Sequence, residues 1–209
     1  MSNKKNREAI LFGVYTAALL IQNILALKTI DIWVFSMTTG ILVSPIVFMA
    51  QDVESEIYGY KHARTMILLA YLMNFIFTAL VSVAIAIVPS VAYANQEAFT
   101  AIFSTTWRIT LASFAAYTIG SLANAKIMTL KKEKHGLFYR AIFSTIVGQF
   151  LDNAIFCFGA FLGVLPLNAI IMMVVGATIW ETLYEIVFYP ITRQIVAYFK
   201  KHEVEEVKE

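Results

Sequence analysis

The chain has 209 residues, of which 59% are apolar and only 14% charged, and its mean hydropathy is +0.71. A soluble domain carries about 25% charged residues, so a soluble fold is excluded. The formal net charge of +2 gives no support to nucleic-acid binding, and the length admits six spans of about 20 residues but no additional soluble domain.

Apolar runs at residues 9–30, 33–51, 66–88, 109–127, 137–165 and 167–189 predict six transmembrane helices, an all-α polytopic fold occupying residues 1–209 as one membrane domain. Strands are not expected, because barrel segments alternate in polarity and these runs are continuously apolar. The first run follows Lys4, Lys5 and Arg7 but continues to residue 30 without a small-residue cleavage pattern, so it reads as a retained span. In the second, Pro45 is expected to kink the helix and free a carbonyl, and the acids Asp52, Glu54 and Glu56 follow it. In the third, Asn74, Thr78 and Ser82 are expected to act as interhelical glue. Residues 90–107 read as an external loop. The fifth run is overlong, and Gly159, Gly163 and Pro166 predict that its helix frays or bends before a tight turn into the sixth. The lone Cys157 reads as a buried, inert thiol, and the charged tail at residues 202–209 as solvated and unstructured.

Lysine and arginine are strongly segregated between the predicted connections. Lys4, Lys5, Arg7, Lys61, Arg64, Lys126, Lys131, Lys132, Lys134, Arg193, Lys200, Lys201 and Lys208 fall on one side, against Lys28 and Arg108 on the other. By the positive-inside rule both termini are cytoplasmic and the chain is a multi-pass protein of the cytoplasmic membrane.

Polar side chains inside spans are costly and mark substrate or proton paths more often than packing. On the fourth span Ser113, Ala116, Tyr117, Gly120, Ser121 and Asn124 gather on one helical face; on the fifth, Arg140, Ser144, Gly148 and Asp152 recur every four residues beside Gln149 and Asn153. These faces are expected to meet, leaving space at Gly120 and Gly148 for a flat ring. The small residues read as close packing. Asp152 and Gln149 read as binding groups, since packing has no use for a carboxylate that costs about 3 kcal/mol at mid-span. Glu181 and Glu185, one turn apart on the sixth span, repel unless one holds a proton or cations such as Lys28, Arg108 or Arg140 hold them. Gln22, Asn23 and Lys28 are similar candidates on the first span, although a lysine at its end also snorkels. Asp52, Glu56 and Arg140 are candidates for closing the inner end of a pathway.

No G-x-x-x-x-G-K-[ST], H-E-x-x-H or G-x-S-x-G pattern occurs, and His62, His135 and His202 lie in predicted loops or tail, so neither an enzyme, a metal site nor a cofactor is expected. Asn23 with Lys28, Ser44-Pro45 with Asp52, Glu56, Tyr58-Gly59 and Ala63-Arg64, Leu111-Ala112-Ser113 with Tyr117, then Arg140, Ser144, Gln149, Asp152, and Tyr184-Glu185 with Pro190 form a set spread over the chain. In these the sequence resembles the queuosine precursor transporter family, also called the vitamin uptake transporter family. The resemblance implies import of 7-deazaguanines such as queuine through six transmembrane helices. It departs from the family pattern at Ser121 and Asn124, where Gln and Asp are expected, and at Glu181, where Lys is expected. The implied partners are a small deazapurine base and the bilayer, with a homo-oligomer admissible. The alternatives are the substrate-binding subunit of an energy-coupling importer, which would add an ATPase module, and a structural protein.

Overall fold

A computed structural model describes residues 2–25, 28–32, 35–104, 107–130, 135–163 and 165–206. Helix α1 is Ser2–Leu25; strands β1 (Thr29–Ile32) and β2 (Phe35–Thr38) pair antiparallel, and a 3-10 turn (Thr39–Leu42) leads into α2 (Ser44–Ile57). There follow α3 (Tyr60–Ala86), α4 (Gln96–Phe103), α5 (Trp107–Thr129), α6 (Leu137–Phe161) and α7 (Leu167–Glu206). The segments Asn6–Leu25, Tyr60–Ala86, Leu137–Phe161 and Leu167–Lys201 are long and apolar enough to cross a membrane. Their outer faces carry large exposed apolar side chains, among them Leu72, Phe75, Leu80, Val83, Phe143, Phe150, Leu183 and Val187. Apolar exposure on that scale suits lipid as the surrounding medium.

Several sequence expectations change. The second apolar run is not one helix: its beginning at Trp33 lies outside the described residues, and the remainder is divided among β2, the 3-10 turn and α2. Pro45 therefore does not kink a span. It occupies the first turn of α2, where its missing N–H is an orphan in any case. The turn from α2 to α3 passes through Gly59 at φ 84, a left-handed conformation that only glycine enters without strain, so α3 starts at Tyr60 and includes His62. Thr78 and Ser82 donate to the carbonyls of Asn74 and Thr78 on their own helix rather than across to a neighbour. The loop at residues 90–107 contains α4. Where the fifth run is expected to fray or bend, α6 stops at Phe161 and Gly163 turns the chain with φ 80. Beyond Pro190, α7 continues to Glu206, so the tail is helical as far as that residue, and residues 207–209 lie outside the description.

Three packings position the interior. α2 returns along α1: Gln22 Nε2 donates to Ser44 Oγ at 3.2 Å, Tyr15 donates to Gln51 Oε1 at 3.4 Å, and Leu11 packs with Val53. Tyr15, Ala18 and Leu19 of α1, Val47 and Ala50 of α2, and Ala63, Met66, Ile67, Ala70 and Tyr71 of α3 share one core with Ala125 of α5. The predicted faces of α5 and α6 do meet, and they meet without a gap. A Cβ placed on Gly120 would lie 2.7 Å from the Gly148 carbonyl oxygen, and one on Gly159 would lie 2.8 Å from Ala112 Cβ. The glycines thus bring two backbones together, the small-residue packing of membrane helices; they leave no slot for a flat ring between them. Finally, α7 packs on α6 through Cys157, Ile170 and Val174, and on α1 and α2 through Val196 and Phe199.

Candidate functional site

Gln51, Tyr117, Gly120, Ser121, Asn124, Gln149 and Asp152 surround a niche between α2, α5 and α6 with a volume of about 10 Å³. That is room for one water. Asn124 is buried, and neither its Oδ1 nor Asp152 Oδ1 has a hydrogen-bond partner among the described residues. Buried oxygens without donors cost roughly 1–3 kcal/mol each, more when charged, so the niche is short of donors. The α2 wall is Gln51, which is 1% exposed. Its amide donates to the Ser121 carbonyl at 3.2 Å and its oxygen accepts from Tyr15, so it ties α2 to both α5 and α1. The Tyr117 ring meets Tyr71 edge to face at 5.2 Å, and its hydroxyl donates to Gln22 at 3.4 Å.

Next to the niche along α2, Asp52 meets Glu185 of α7 side chain to side chain. Both are almost wholly buried, and no amide, hydroxyl or cation among the described residues donates to either Asp52 oxygen or to Glu185 Oε1. One turn further, Glu56 Oε2 accepts from Arg140 Nη2 and its Oε1 from Lys200 Nζ, each at 2.6 Å. Arg140 also donates to the carbonyls of Met128 (2.5 Å) and His135 (3.1 Å). A buried carboxylate is thereby shared between two cations, joining α2, α6 and α7 to the C-terminal end of α5.

Of the sequence candidates, Asn124, Gln149 and Asp152 come together at the niche, and Glu56 and Arg140 come together at the end beyond it. For Glu181 and Glu185 the alternatives are a held proton or shared cations, and no ion pair to either acid occurs among the described residues. Glu181 accepts from Asn153 of α6 at 2.8 Å, whereas Glu185 turns to Asp52, and Arg140 is engaged by Glu56. Arg108 lies outside the residues whose side chains are described. Lys28 is exposed beside the strand pair and Asn23 is half-buried; of the three candidates on the first span, Gln22 is the one that enters the interior network. The niche-lining residues beyond the sequence candidates are Gln51, Tyr117, Gly120 and Ser121. Tyr117 and Ser121 were on the polar stripe of α5, but Gln51 carried no signal except its place next to an acid at the end of an apolar run.

Residues 38–195 match the family described as "Putative vitamin uptake transporter", a stretch that contains α2, α3, α5, α6 and every residue of the niche. The chain belongs to that family. A protein of Bacillus subtilis (strain 168), described as "Probable queuosine precursor transporter", is 28% identical over 148 residues. This match covers 69% of the present chain and 65% of that relative, so the chain spans just under two thirds of the relative's length. No solved structure matches. The niche, the acid pair and the Glu56–Arg140 pair thus all fall within the stretch that defines this transporter family.

Proposed function

We infer that the chain imports a queuosine precursor, a 7-deazaguanine such as queuine, across the cytoplasmic membrane. It does so as a stand-alone protein of six spans with both termini inside. The observation that carries this reading is the donor-poor niche at Asp152 and Asn124. The guanine-like edge of a deazaguanine presents adjacent N–H donors to a carboxylate such as Asp152, and a carbonyl to which the amide of Gln149 or Asn124 donates. Such an edge supplies, only when bound, the hydrogen bonds that the niche lacks. Tyr117 offers a ring face for stacking.

A niche with room for one water represents the closed state. α5 and α6 are locked by their glycines, so opening falls to α2, and the bonds that must yield are those of Gln51 to Ser121 and Tyr15. The ion cluster at Glu56, about 7.5 Å further along α2 at 1.5 Å per residue, closes the inner end. Between the two, Asp52 and Glu185 place two buried carboxyl groups side by side, an arrangement of the kind that carries protons through membrane proteins.

Accumulation of labelled queuine by proteoliposomes containing the purified chain alone tests the reading. Uptake without any added ATPase is expected; uptake that requires an ATPase module would make the chain a substrate-binding subunit, and no uptake of any deazaguanine would overturn the proposal.

A further inference from the structure

At the N-terminal end of α1, away from the niche, a second cavity of about 600 Å³ opens between α1, α2 and α3, with Glu8, Glu54, Lys61 and His62 among its lining residues. Glu8 lies on α1, Glu54 in the last turn of α2, and His62 in the first turn of α3, brought back by the left-handed turn at Gly59. One ligand atom from each of the three lies within 4.8 Å of the other two. His62 Nδ1 and Glu8 Oε1 are 2.5 Å apart.

Glu54 makes this more than a surface ion pair. It is 2% exposed, it lines the cavity, and its Oε2 has no hydrogen-bond partner among the described residues. Lys61 lines the same cavity, yet it does not satisfy that oxygen. A buried carboxylate oxygen without a partner, beside a second carboxylate and an imidazole, lacks a cation. The donor set of two carboxylate oxygens and one imidazole nitrogen suits first-row divalent metals, zinc above all. Ligand atoms about 2 Å from a common centre lie no more than about 4 Å apart, so small rotamer changes close a 4.8 Å triangle.

We propose that Glu8, Glu54 and His62 form a binding site for one divalent first-row transition-metal ion, zinc by preference, which clamps the ends of α1, α2 and α3 together with its fourth position open to the cavity. This site is independent of the transported substrate. It lies at the same end of α2 as Glu56, so an occupied site fixes the helix that carries Gln51 and Asp52.

The test is calorimetric titration and thermal melting of the purified full chain in detergent with zinc chloride, with magnesium chloride as the hard-cation control. One zinc per chain is expected, with a rise in melting temperature of roughly 5 °C at saturating metal and none with magnesium. The side chains of His62 and Glu8 are 51% and 34% exposed, so H62Q and E8Q leave the fold intact. Each should lose at least tenfold in zinc affinity, and cobalt added to the unmodified chain should show visible ligand-field bands that H62Q abolishes. Failure of the unmodified chain to bind one equivalent of zinc would overturn the proposal, as would undiminished binding by H62Q and E8Q, which would move the metal to His135 or His202.

Discussion

Gly120 of α5 and Gly148 of α6 face each other so closely that a Cβ on either would fall within 2.9 Å of the other's carbonyl oxygen. This pair sets the separation of the two helices that carry Asn124, Gln149 and Asp152, and therefore the size of the niche.

Any side chain at these positions must push backbone away from backbone. Gly120→Ala and Gly148→Ala are each expected to destabilise by about 1–3 kcal/mol, the usual cost of overpacking. A methyl added to Gly13 on α1 would meet nothing within 4 Å, so Gly13→Ala should be neutral or stabilising by up to about 1 kcal/mol. Thermal melts of the three variants in one detergent check the contrast; equal effects would mean that α5 and α6 do not pack on their glycines.

The two cations on Glu56 are not equivalent. Arg140 is 6% exposed at the side chain and also serves two carbonyls, whereas the Lys200 side chain is 52% exposed. Arg140→Gln strips a buried carboxylate of its inner partner and should cost about 3 kcal/mol, while Lys200→Ala should cost less than about 1 kcal/mol. Arg140→Lys should recover little, because a single ammonium cannot reach both Glu56 and the Met128 carbonyl in the guanidinium's geometry. Melting curves in one detergent distinguish these outcomes.

Glu181 and Glu185 are one turn apart but have separate partners, and this separates their expected phenotypes. Glu185→Gln removes half of the Asp52–Glu185 pair and should flatten the pH dependence of uptake. Glu181→Gln keeps an oxygen for Asn153 and should leave the pH profile unchanged. Initial uptake rates in proteoliposomes between about pH 5 and 8 measure both. An unaltered profile in Glu185→Gln would reduce the acid pair to scaffolding.

The proposed orientation is open to a labelling experiment. Cys157 is buried, so a cysteine introduced at Asn95 gives the dominant signal. A membrane-impermeant thiol reagent applied to intact cells should label Asn95→Cys and leave a cysteine at Lys61 unlabelled; the reverse pattern would place the basic connections outside.

The meeting of α5 and α6, and with it the candidate niche, was legible in the sequence because its signals are periodic. Asp152, Gln149 and the small residues of α5 and α6 announce a shared face through helical spacing, and burying a carboxylate there is too costly to be incidental. Pairing was not legible. Glu185 was expected beside Glu181 because the two are neighbours along one helix, yet Asp52 is its partner because α2 lies against α7, a long-range contact that no local pattern encodes. Gln51 was missed for the same reason: an amide at the end of an apolar run resembles a span boundary until α5 is seen to pass it. The second apolar run misled because hydropathy does not distinguish one continuous helix from a strand, a 3-10 turn and a short helix of the same composition. Pro45, read as a kink, was in fact the signal for a helix start.

The central claim is that Asp152 and its niche bind the transported base, and ligand-induced stabilisation of the purified protein tests it most directly. Queuine or another 7-deazaguanine should raise the melting temperature of the unmodified chain in a concentration-dependent way. Asp152→Asn should weaken that binding by about tenfold or more, the equivalent of at least one charge-assisted hydrogen bond, while melting normally without ligand. Full ligand-induced stabilisation of Asp152→Asn, together with its loss in Glu185→Gln, would contradict the account and move the binding site to α7.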